Sequence, residues 1–176
     1  MITARQFSQT FERVTHEQMA TLLQRWSSQP QFTQCIKHQM MPAIASALNC
    51  GLELEYKRID IVFRALSVSN GDANGDARIV VAIEHENNFG GSHSEVTKLR
   101  DLMAPLGVLI TYVSPYRRQQ LIAEFSKIMS ASAGPSDAAN LSKLLVITGP
   151  YGMKPPKSIT WEYFVCQDGE FQPLDL

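Results

Sequence analysis

Cysteine is scarce and poorly placed for any structural use. Cys35, Cys50 and Cys166 are the three in 176 residues, an odd number without the paired spacing of a zinc site. Reduced thiols in a cytoplasmic protein are the expectation. Long apolar runs are missing too: nothing approaches the ~20 residues of a membrane span, and no basic stretch followed by an apolar one opens the sequence. No membrane partner is therefore expected. The formal net charge of −1 excludes a histone-like electrostatic binder while leaving room for a local basic patch. There is no Walker-type glycine loop, and no Ser-His-Asp or Cys-His arrangement follows from spacing. Internal repeats, low-complexity tracts and long linkers are absent as well, so a single domain over residues 1–176 is expected.

What is present alternates between helical and strand-like periods. The first fifty residues read as helical. Thr15 and Gln18 have capping-box spacing, and Met19, Leu22, Leu23 and Trp26 share a face, with Pro30 ending that helix. A second helical stretch runs from about Phe32 to Leu48 with a break or restart at Pro42. Then "LELEYKRIDIVFRALSV" and "RIVVAIEHE" read as strands around a tip with two Asn-Gly pairs. Asp72, Asn74 and Asp76 in that tip have calcium-loop spacing, but Ala77 and Ile83 stand where the loop needs Gly and Glu, so a polar tip is expected. Ser92 and Glu95 suggest a capping box for a helix carrying an apolar stripe of Val96, Leu99, Leu102 and Met103. "VLITYV" suits a buried parallel strand, "RRQQLIAEFSKIMSAS" an amphipathic helix, and "KLLVITG" a further buried strand. "SITWEYFVC" and "EFQPL" close the chain as an edge hairpin. The expected order is αα-βββ-α-β-α-β-β, an α/β fold with a mixed central sheet flanked by helices.

The chemistry concentrates in one hairpin. Alternate strand residues share a face, so Glu84 and Glu86 point together while His85 and Asn87 point the other way. Asp60, set among Ile59, Ile61, Val62 and Phe63, is out of character for a buried strand, and a hairpin brings it near Glu84. Close carboxylates need a compensating cation, and hard divalent ions prefer oxygen donors. His85 and His93 lack an evident third ligand for zinc.

These residues resemble the PD-(D/E)xK nuclease superfamily, to which restriction endonucleases belong. "RIDIVF" supplies the Asp and "VVAIEHE" the Glu strand, while "SEVTKLRDLM" and "VLITYV" continue the family's αβββαβ core over roughly residues 40 to 115. The resemblance implies a restriction endonuclease-like fold and hydrolysis of phosphodiesters with Mg²⁺ or Mn²⁺. Asp60 and Glu84 would be metal ligands, Glu86 a third acid or general base, and Lys98 an electrostatic helper. Nucleic acid, DNA in the first place, is the implied partner, and a homodimer would suit double-strand cleavage. Glu86 stands where the family has Lys. That departure carries the alternative: a catalytically inactive domain of the same fold that binds protein or nucleic acid. Glu12 and Glu17 are the acids available upstream for the extra Glu that family members often add.

Overall fold

The computed structural model describes residues 1–66, 78–87, 90–131, 143–152 and 154–176. Among these, seven strands form one mixed sheet whose spatial order follows the chain, β1 through β7. The strands are β1 (Cys50–Tyr56), β2 (Ile59–Ala65), β3 (Ile79–Glu86), β4 (Leu106–Val113), β5 (Lys143–Pro150), β6 (Glu162–Gln167) and β7 (Glu170–Pro173). β1, β2 and β3 form an antiparallel meander, β3, β4 and β5 run parallel, and β6 and β7 return antiparallel. All eight residues of β4 are buried, which is why its sequence is a continuous apolar run: helices cover both faces of a central parallel strand. The tip of the long hairpin, with Asp72, Asn74 and Asp76, and the "SAGPSD" loop lie outside the described residues. Among the described residues no helix is long and apolar enough to cross a membrane.

One face is covered by α1 (Ala4–Glu17), α2 (Met19–Arg25), α3 (Gln29–Cys35) and α4 (Met41–Ala47), packed on Ile61, Phe63, Ile83, Val108 and Ile110. The other carries α5 (Ser92–Leu102) and α6 (Pro115–Ser130) over Val62, Ala82, Leu109 and Val146. Several boundaries differ from the sequence expectation. The first capping box is Thr3 with Gln6, which starts α1 twelve residues before Thr15. Pro30 does not end a helix; it sits in the first turn of α3, where a missing N–H costs no bond. Ser92 is not a cap: Gly91 holds that position, and Ser92 Oγ meets Thr111 Oγ1 at 2.9 Å in the core.

At Pro42 the helix restarts, one of the two expected outcomes, since Pro42 lies in the first turn of α4. A π-helical turn, Ile36–Met40, joins α3 to α4, with the Met41 N–H donating to Ile36 O. Proline has no N–H for the carbonyl four residues back and its ring collides with it, so widening the turn by one residue relieves the conflict. The widened turn carries Lys37.

At the far side of the sheet, Gly149 is required for space. A Cβ there would lie 2.6 Å from Trp161 Cζ3 and 2.9 Å from Tyr112 Cδ1. The rings are held from behind, Trp161 edge-on against Phe11 at 5.0 Å and Tyr112 against Phe32 at 5.8 Å. Gly149→Ala is expected to lose about 1–3 kcal/mol of stability from overpacking, read as a lower urea midpoint at unchanged slope. A midpoint equal to the parent's would mean that the rings pack more loosely than described.

Candidate functional site

β2 and β3 pair from Ile61↔Ile83 onward, so the next opposed residues toward the sheet's end are Asp60 and Glu84. There side chains take over from the ladder. The His85 N–H donates to Asp60 Oδ2 at 3.0 Å, and the Asp60 N–H lies 3.4 Å from Glu84 Oε2. A two-residue turn, Lys57–Arg58, brings β2 back to this point, closed by the pair Tyr56↔Ile59. Both turn residues are left-handed, φ 47° and 72°, and Glu55 before them has φ 56°. Such backbone suits the hairpin twist but strains residues with a Cβ. Three strained positions therefore adjoin Asp60, a concentration typical of functional sites.

Two lysines approach from opposite layers. Lys98 of α5 reaches Glu84 Oε1 at 2.9 Å and also pairs with Glu95. Lys37 reaches Asp60 Oδ1 at 2.8 Å and Glu55 Oε1 at 3.1 Å. Burial works against both ammonium groups, yet Glu95 and Glu84 hold Lys98, and Asp60 and Glu55 hold Lys37, above the ordinary lysine range. Glu84 is 3% exposed. Burial pushes its carboxyl up to about 8; Lys98 opposes this, and the Asp60 and Glu95 carboxylates add to it. Glu84 is thus a carboxylic acid through much of the neutral range, facing two carboxylates and one ammonium.

Asp60, Glu84 and Lys98 therefore meet, as the sequence suggested. Glu86 lies one strand repeat further, against Gly91 at the start of α5: a Cβ on Gly91 would fall 2.5 Å from Glu86 Oε2. His85 turns to the opposite layer, its Nε2 2.8 Å from the Tyr112 hydroxyl. His93 instead contacts Glu124 and Phe125 on the α5–α6 layer, so the two histidines do not form a site. Glu12 accepts from Tyr163 and Glu17 from Arg13, so each upstream acid is engaged elsewhere.

The sequence reading missed Glu95 and Lys37. Glu95 had a signal, its i,i+3 spacing to Lys98, beside the Ser92 spacing that suggests a cap. Lys37 had none, since its approach depends on the π-helical turn.

Oxygen donors of this kind suit a hard divalent ion. Among the described residues, however, no three His, Cys, Asp or Glu side chains are arranged together as a metal cage. An ammonium sits on Asp60 and another on Glu84, so an ion binding there would take the place of lysine contacts. No protein-family model matches the chain, and no curated protein matches it significantly.

Proposed function

We propose that the chain is a divalent-metal-dependent hydrolase of nucleic-acid phosphodiesters, of the PD-(D/E)xK type with a restriction endonuclease-like fold. The observation that carries this reading is the fork between β2 and β3. There Asp60 and a buried, proton-holding Glu84 come together beside Lys98 at the end of a sheet. Clustered acids with a shifted carboxyl at a strand end are the arrangement expected of a catalytic site. The succession helix, three antiparallel strands, helix, parallel strand also supports it.

In this reading Asp60 and Glu84 would hold Mg²⁺ or Mn²⁺, with Glu95 adjoining Glu84 through Lys98. Bound there, such an ion would supply Lewis acidity and lower the pKa of a water. The chain's own groups do the remainder. Lys98 offers positive charge to the phosphate as negative charge builds on it. Glu86 accepts the proton of the attacking water as its oxygen bonds to phosphorus and one P–O ester bond breaks. The leaving oxygen takes a proton from solvent. DNA is the first substrate to test, and cutting both strands of a duplex would call for a second copy of the site.

The test is cleavage of plasmid DNA and of RNA in Mg²⁺ or Mn²⁺ by the parent and by Asp60→Ala. Metal-dependent cleavage that falls to background in the variant is the expected result. Equal cleavage by both proteins, or none by either, overturns the reading. One observation favours the second reading, a non-catalytic binding domain: Lys37 pairs with Asp60 and Lys98 with Glu95, beside a Glu84 that holds its own proton, without any metal. Calorimetry showing no Mg²⁺ or Mn²⁺ binding would select it.

A further inference from the structure

A cleft of about 870 Å³ opens at the carboxyl ends of β3, β4 and β5, where ligands commonly bind in α/β sheets. Trp26, Phe32, Tyr112 and Tyr151 give it aromatic walls, and Asn87 and Arg117 are polar groups on its lining. Among the described residues no acid lines it, in contrast to the neighbouring carboxylate fork. Trp26 is held in place, its Nε1 donating to Gly152 O at 2.9 Å. Phe32 and Tyr112 meet its ring at 78° and 85°, so neither lies parallel over it. Asn87 is tied by its Nδ2 to Thr33 Oγ1 at 2.7 Å. It directly follows Glu86 but points to the α1–α4 layer, so the cleft and the Glu84–Lys98 pair lie on opposite faces of the sheet and a ligand reaching both passes over the carboxyl end of β3.

A ligand matching these walls has a flat aromatic face and negative charge, and it continues toward the carboxylates. We infer that the cleft takes an unpaired nucleobase of single-stranded nucleic acid, stacked on Trp26 and Tyr151 with a backbone phosphate on Arg117. This rests on the phosphodiesterase reading and gives it a substrate class. A base within a duplex is covered above and below by its neighbours and must be extruded to enter, at a cost of a few kcal/mol.

The experiment measures binding by the full chain in chelator, where no chemistry occurs. Fluorescein-labelled oligo-deoxythymidine, oligo-uridine and a duplex of equal length are titrated at fixed salt. One or both single strands are expected to bind at least roughly tenfold tighter than the duplex. Tyr151→Ala and Arg117→Gln, both at exposed side chains, are each expected to weaken that binding by roughly 5- to 100-fold. Single strand is also expected to quench the parent's intrinsic fluorescence but not that of Trp26→Phe, since Trp161 is only 5% exposed. Equal affinity for the duplex, or parental affinity in both exposed-site variants, overturns the inference. Cleft-dependent binding without Asp60-dependent cleavage would sink the hydrolase reading alone. Asp60-dependent cleavage of duplex that ignores Tyr151 and Arg117 would sink the cleft alone.

Discussion

In metal-free buffer, Glu84→Gln is expected to be more stable than the parent by a margin that widens from pH 5 to pH 8. The Glu84 carboxyl holds its proton to about 8, whereas its ordinary value is 4.5. Between those values the folded chain carries a proton that the unfolded chain has released. Rising pH therefore costs stability, and the loss is complete once pH passes the folded value. Converted in full, the shift is worth about 4–5 kcal/mol. Lys98, which neighbours Glu84, is partly open to solvent. Screening there brings the expected margin at high pH to roughly 2–4 kcal/mol. Glutamine keeps the shape, never ionises, and offers an amide donor to Glu95. Urea unfolding in chelator at several pH values measures the margin. Parallel curves for parent and variant would show that Glu84 is not a desolvated acid.

The parts of this site that were legible in the sequence obey local rules. Glu84 and Glu86 share a face because a strand has period two, and His85 turns away for the same reason. Asp60 could be picked out because a lone acid among Ile59, Ile61, Val62 and Phe63 needs a partner. What stayed hidden depends on tertiary geometry or unusual backbone. Lys57–Arg58 turns the chain with no Gly or Asn to announce it, so β1 and β2 read as one long strand with at most a bend. Lys37 reaches Asp60 from a π-helical turn that no side-chain period encodes. The aromatic cleft joins residues more than a hundred positions apart, Trp26 to Tyr151, and no spacing rule connects them.

His85→Gln is expected to do the reverse of Glu84→Gln, and in a lower window. Burial pushes the His85 imidazole down to about 4 from 6.5; Asp60 pulls it back up and Lys37 pushes it further down. Its Nε2 meets the Tyr112 hydroxyl, while Nδ1 is buried without a hydrogen-bond partner, so the neutral ring fits and the charged ring does not. As pH falls from 6.5 toward 4, the unfolded chain takes up a proton that the folded chain refuses. Stability is then lost, by at most about 3 kcal/mol. Glutamine can still bond the Tyr112 hydroxyl but does not titrate, so the variant should lose less stability than the parent below pH 6.5. At neutral pH it should be roughly 1 kcal/mol weaker, from lost ring packing. Between pH 4.5 and 6.5 the two groups oppose each other: acidification relieves Glu84 while it strains His85. The parent's stability should therefore be nearly flat there and fall from pH 6.5 to 8. The Glu84→Gln protein should instead rise to pH 6.5 and then level off. A double variant should have lost both slopes, because the two side chains point into opposite layers and titrate independently. A slope persisting in the double variant would assign the pH dependence to other groups.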